Sequence, residues 1–189
     1  EILFTSGGTE ADNLGLMGAA RAMLREQGRR GVVVSAIEHH AVLEAARALE
    51  REGFVVEVAP CSRQGVVTHE AVEQAVGRIE ARGQRVGVVA VMLVNNEVGT
   101  LQPVGEIAAL ARGKGALMMT DAVQAPFAEA LDTGRLGYDV LSLSAHKFGG
   151  PQGVGLLYVR RGVPFDPILF GGGQERALRP GTENVAGIV

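Results

Sequence analysis

The sequence holds one cysteine, Cys61, among 189 residues. That excludes an internal disulfide and fits a reducing, cytoplasmic setting. It lacks an excess of either charge. The formal net charge is -3, so nothing draws this surface to nucleic acid or to an anionic membrane. No apolar run approaches the ~20 residues that a membrane-spanning helix needs, and no charged-then-apolar pattern of the signal-peptide kind is seen. Internal repeats, low-complexity tracts and linkers are also missing.

What is present is ordinary in bulk. Hydrophobic residues make up 47% and charged residues 21%, the mixture of a soluble globular protein. The length suits one domain with a real core. Glycine is high at 27 residues, which points to backbone positions with positive φ or close approach to a ligand. The chain opens inside the apolar run "EILFT" and closes on "ENVAGIV", which reads as the start of another element. A piece of a longer protein is expected.

Short apolar runs alternate with longer amphipathic segments. "ILFT", "GVVVSA", "FVVEVAP", "VGVVAVMLV", "ALMMTDA", "DVLSLSA" and "VGLLYVRR" read as strands. Helices are expected at Glu10 to Gln27, stopped by Gly28, and at His40 to Glu52. Two more are expected at Thr68 to Arg82, with Thr68 as N-cap, and at Pro103 to Lys114, with proline near the first turn. This alternation predicts an α/β fold: a mostly parallel, seven-stranded type of sheet flanked by helices on both faces. In such sheets ligands bind beyond the carboxyl ends of the strands.

Those ends are rich in polar residues. "TSGGTEADN" joins a strand to a helix through two glycines. Its free amides and Thr9 suit a phosphate, or it is a plain turn with Thr9 as N-cap. The stretch is neither a Walker A loop nor G-x-G-x-x-G. "EHH" offers adjacent histidines that point apart, so no shared metal is expected. They start a capped helix, or one imidazole lies over a flat ligand. "NNEVGT" is a turn or a source of amide hydrogen bonds. Asp121 in "DAVQA" is an N-cap, or a carboxylate awaiting a cationic partner. In "SLSAHKFGG", Lys147 is a snorkelling surface residue, or a desolvated amine suited to an imine with a carbonyl. The glycines after it are expected to release the chain into a flexible turn. One cofactor would use every cluster, having a phosphate, a pyridine nitrogen, a phenolic oxygen and an aldehyde: pyridoxal 5′-phosphate.

In order and rough spacing, "TSGGTEADN", "EHHAVL", "VNNEVGTLQPV", "DAVQA", "SAHKFGGPQGVGLLYVRR" and "GGGQERALRPGTENV" resemble the NifS/IscS-like cysteine desulfurases. These belong to the class V aminotransferases, fold type I of the pyridoxal phosphate enzymes. The resemblance implies one large cofactor-binding domain over residues 1–189, without the N-terminal segment and the C-terminal small domain. It implies that Lys147 bonds the cofactor aldehyde and shuttles protons, and that Gly8, Thr9, Ser144 and His146 hold the phosphate. His39 would stack on the ring and assist proton transfer. Asp121 would pair with the pyridine nitrogen, and Asn96 and Gln124 with the phenolic oxygen. Thr182 would reach the phosphate of the partner subunit in a homodimer, and Arg179 would help at the mouth of the site. The implied reaction takes sulfur from L-cysteine, gives L-alanine, and passes an enzyme persulfide to an acceptor or iron–sulfur scaffold protein.

The sequence departs from that family in places. The family's nucleophilic cysteine lies beyond "RPGTENV", and Cys61 does not match it; a half-buried structural thiol is expected. Phe170, Leu93 and Thr120 stand where the family often has histidine, and are expected to alter the rim of the site. A class V relative acting on selenocysteine, or a catalytically incomplete fragment, is the alternative reading.

Overall fold

The computed structural model describes all residues from Glu1 to Val189. Seven strands form one sheet: β1 (Ile2–Thr5), β2 (Gly31–Ser35), β3 (Val55–Ala59), β4 (Val86–Ala90), β5 (Leu117–Asp121), β6 (Val140–Ser144) and β7 (Gly155–Val159). Their order across the sheet is β1-β7-β6-β5-β4-β2-β3. The pairs β2·β3, β2·β4, β4·β5 and β5·β6 are parallel, while β7 runs antiparallel to both β6 and β1. The sheet is therefore mostly parallel with one reversed strand. No helix is long and apolar enough to cross a membrane.

The continuous apolar runs follow from burial on both faces. Side chains alternate along a strand, so Val32 and Val34 enter one core while Val33 enters the other. Val88 and Ala90 oppose Val89 in the same way, as Met119 opposes Met118. Two long helices, α1 (Gly8–Gln27) and α2 (His40–Arg51), cover the first face. Two more, α3 (His69–Ala81) and α4 (Val104–Gly113), cover the second. Helix α1 crosses the sheet at close range because Gly15 has no side chain. A Cβ there would lie 3.0 Å from Met119 Cε and 3.1 Å from Leu157 Cδ1. Gly28 ends α1 in the left-handed conformation, and Thr68 caps α3 by accepting from the Ala71 N–H, both for the reasons the sequence suggests.

Some boundaries differ from expectation. The run "VGVVAVMLV" leaves the regular ladder after Ala90, although Val91 and Leu93 still donate their N–H groups to the carbonyls of Met119 and Asp121. Pro103 sits at the cap of α4 rather than inside it. Two short helices were not expected, α5 (Thr133–Leu136) and α6 (Val185–Ile188). After β6 the chain does not open into a loose turn. Ala145–Lys147 form a 3-10 turn, and Gly150 donates back to the Ala145 carbonyl at 2.9 Å. Gly150 packs so closely that a Cβ would meet Ala145 Cβ at 2.8 Å, so the glycine here permits compaction.

Candidate active site

At the carboxyl ends of β1, β2, β4, β5 and β6 lies a cavity of about 260 Å3. Gly8 and Thr9 reach it from β1, His39 from β2, and Asn96 from β4. Asp121 and Gln124 come from β5, and Ser144, His146 and Lys147 from β6. Asp12, Met92 and Val123 complete its lining. Its floor is buried: Asp12 is 1% exposed, Asp121 5% and Ser144 1%. Its rim is open, with Thr9, His39, Asn96, His146 and Lys147 all exposed. Acids thus lie below and nitrogen bases above.

The start of α1 is open and lacks a side-chain cap. Gly7 is the N-cap residue and supplies no side-chain cap. Thr9 lies inside the first turn and is not the cap. The first helical N–H groups lack side-chain acceptors, and the positive end of the helix faces the opening. Gly8 must stay small: a Cβ would lie 3.0 Å from Val123 Cγ2 and 3.3 Å from Ser144 Cβ. Ser144 Oγ and His146 Nδ1 are 3.0 Å apart on the facing strand end. A second, shallower hollow over the same helix start is lined by Ser6, Gly7, Gly8, Thr9, Glu10, Ser144 and His146, among others.

Asp121 does not cap a helix. It ends β5, and its Oδ1 accepts the Val123 N–H at 2.8 Å. Burial raises its pKa above the ordinary carboxylate value, while that N–H and the charge of His39 pull it back. Asp12 accepts the hydroxyl of Ser142. Its pKa is raised well above the usual value by burial and by the nearby Asp121 charge, against the opposing effect of Ser142. Two buried acids this close together cannot both ionise cheaply.

His39 caps α2: its Nδ1 accepts the Ala41 N–H at 3.1 Å. An acceptor at Nδ1 leaves the proton of the neutral ring on Nε2. Beneath it, Glu38 is buried and takes hydrogen bonds from Ser35 Oγ and, at 2.7 Å, from the Met92 N–H. Its Oε2 has no partner, and burial pushes its pKa up to about 8. The two asparagines divide their labour. Asn95 is buried and folds the turn, its Oδ1 accepting the N–H groups of Glu97 and Val98; Asn96 faces the cavity. Lys147 is exposed on the 3-10 turn, not desolvated at the end of β6, and its amine has no hydrogen bond or ion pair within the chain.

Two expected residues lie elsewhere. Thr182 is exposed and outside this cavity, as a residue expected to serve the partner subunit's site can be. Arg179 forms a forked ion pair with Glu10, Nε to Oε1 at 2.7 Å. Leu93 and Thr120 are in the core, 1% and 0% exposed, so they do not shape the rim as expected; of the three departures only Phe170 is open. Sequence reasoning passed over Asp12, which lines the cavity, and Glu38, which is buried next to the cavity residue His39 in the chain. The signal for Asp12 was its position four residues after Gly8, one turn on along the same helix face. Glu38 directly precedes the histidine pair.

Comparison with known proteins gives the family and agrees with the fold. The aminotransferase class-V family profile matches residues 1–189. The cysteine desulfurase IscS of Methanosarcina thermophila is 46% identical over 189 residues, covering 100% of this chain and 45% of the relative. The putative cysteine desulfurase IscS 1 of Bacillus subtilis (strain 168) is also 46% identical, with 100% and 48% covered. Among solved structures, a NifS-like protein superposes with a TM-score of 0.89 at 43% identity, covering 100% of this chain and 50% of the other. A structure described as SspA in complex with cysteine gives a TM-score of 0.88 at 35% identity, covering 99% and 52%. The chain spans about half the length of the curated relatives it matches. The chain belongs to the class-V aminotransferase family.

Proposed function

We propose that this chain is the cofactor-binding large domain of a pyridoxal 5′-phosphate-dependent cysteine desulfurase. Working as a homodimer, the enzyme takes sulfur from L-cysteine, releases L-alanine and passes the sulfur to an acceptor protein. The observation that carries this reading is the convergence of five strand ends on one cavity holding an amine, an imidazole, a buried carboxylate and an uncapped helix start. Relatives named cysteine desulfurase at 42% to 47% identity support the choice of reaction.

The residues present fit the cofactor. The helix start with Thr9, Ser144 and His146 is a donor set for its phosphate. The space that a Cβ on Gly8 would fill is kept clear. Buried Asp121, with a single N–H donor, is matched to a protonated ring nitrogen, and Asn96 and Gln124 to the phenolic oxygen. When bound, the cofactor supplies an electron sink that weakens bonds at the α-carbon of an amino acid.

The chain's own residues do the rest. Asp121 holds a positive charge in place at the cavity floor. Lys147 supplies the anchoring amine and, when free, a base that moves the α-proton of the substrate. His39 keeps its Nε2 proton available at the rim, because Nδ1 is committed to the Ala41 N–H. Cys61 is half-buried, packed against one core, and is not assigned the sulfur-accepting role. The direct test is to supply the full-length protein that contains this chain with cofactor and L-cysteine and measure alanine, and sulfide in the presence of a thiol reductant. The reading requires both products from the wild type and neither from Lys147→Ala; equal release by the two proteins refutes it.

A further inference from the structure

Glu10 sits in the first turn of α1, where a carboxylate works against the binding of an anion. Its side chain borders the hollow formed by Gly8, Thr9, Ser144 and His146. A carboxylate there favours the helix, but it repels a second anion at the same place. Both of its oxygens are engaged. Oε2 accepts the Ser6 N–H at 2.7 Å. Arg179 donates from Nε to Oε1 at 2.7 Å and from its terminal nitrogen to Oε2 at 3.1 Å. The side chains of Arg179 and Glu10 are 17% and 16% exposed, so water and salt screen this pair less than an open surface pair.

The chain goes to some length to bring Arg179 here from 169 residues away. The approach runs through Glu175, Arg176 and Ala177, all left-handed, with φ of 46°, 59° and 60°. Three successive residues with a Cβ in that region are strained, and the turn needs outside support. Arg176 gives some by donating to the Ile2 carbonyl at 2.7 Å, and Gln174 Oε1 accepts the Gly181 N–H at 3.1 Å.

We propose that Arg179 is a positioning residue for anion binding: paired with Glu10, it cancels the negative charge beside the start of α1, so that the phosphate of a ligand is accepted there, and Arg179 does not itself touch the ligand. This deepens the cofactor reading above and rests on it. It assigns Arg179 a task different from helping at the mouth of the site.

The test is a double-mutant cycle on the whole protein. Equilibrium affinities for pyridoxal 5′-phosphate and for inorganic phosphate are measured with wild type, Arg179→Gln, Glu10→Gln and the double variant, alongside thermal melts. Arg179→Gln weakens both ligands by about tenfold, as an uncompensated charge near an anion should. Glu10→Gln stays within about twofold of wild type, and the double variant returns to within about threefold. Arg179→Lys, which keeps the charge and loses the fork, also stays within about threefold and serves if Arg179→Gln does not fold. A double variant as weak as Arg179→Gln overturns the proposal, because Arg179 then acts on the ligand directly. Wild-type affinity in Arg179→Gln overturns it as well, leaving the cofactor reading intact. A wild-type protein that binds neither probe sinks the cofactor reading and this proposal together.

Discussion

Ser142 gives its hydroxyl to the Asp12 carboxyl while its backbone stands in register with Asp121 on the adjacent parallel strand. This ties α1, β5 and β6 together beneath the cavity. Asp12 is held toward its neutral form by burial and by Asp121, so its charge is dispensable but its acceptor is not. Asp12→Asn is expected to cost less than about 1 kcal/mol, whereas Asp12→Ala, which strips the buried Ser142 hydroxyl of its partner, costs about 2 kcal/mol. Denaturant melts of the two variants measure the difference.

Glu38 makes the stability of the cofactor-free protein depend on pH. Its pKa is about 8 when folded, against an ordinary 4.5. Between those values the folded state binds more proton than the unfolded chain. Stability therefore falls as pH rises from about 4.5 toward 8 and levels off above, with a slope from this group of at most about 1.4 kcal/mol per pH unit. Asp12 and Asp121, also raised, act in the same direction. Glu10 is lowered and so acts the other way, losing its contribution only as the medium becomes acidic. Melts at constant ionic strength should show a higher midpoint at pH 6 than at pH 8, with the gap narrowed by Glu38→Gln.

His39 has two separable roles, as cap of α2 and as ring at the cavity rim. Asparagine is a good cap without an imidazole. His39→Asn is expected to change stability by less than about 1 kcal/mol, while alanine release falls by about a hundredfold. A variant that melts like wild type and turns over like wild type contradicts the assigned role.

Much of this was legible in the residues. The two-sided burial of Val32, Val33 and Val34 can be read from the run itself, because a parallel strand between helix layers has no solvent face. The cavity residues could be read because each strand ends in polar side chains that a core would not tolerate. The reversal of β7 could not, since side chains alternate with the same period in either direction. Nor could the burial of Leu93 and Thr120, which depends on which side of the strand run faces α3 and α4. The partnerless oxygen of Glu38 and the pairing of Glu10 with Arg179 arise from tertiary contacts that no local spacing encodes.

The most direct measurement is covalent. The protein is incubated with pyridoxal 5′-phosphate, reduced with borohydride, digested, and the peptides are weighed. The account predicts that the cofactor's reduced mass is fixed on Lys147 alone, and that Lys147→Ala carries none. Label on Lys114, the other lysine of the chain, or equal label in the variant, would contradict it.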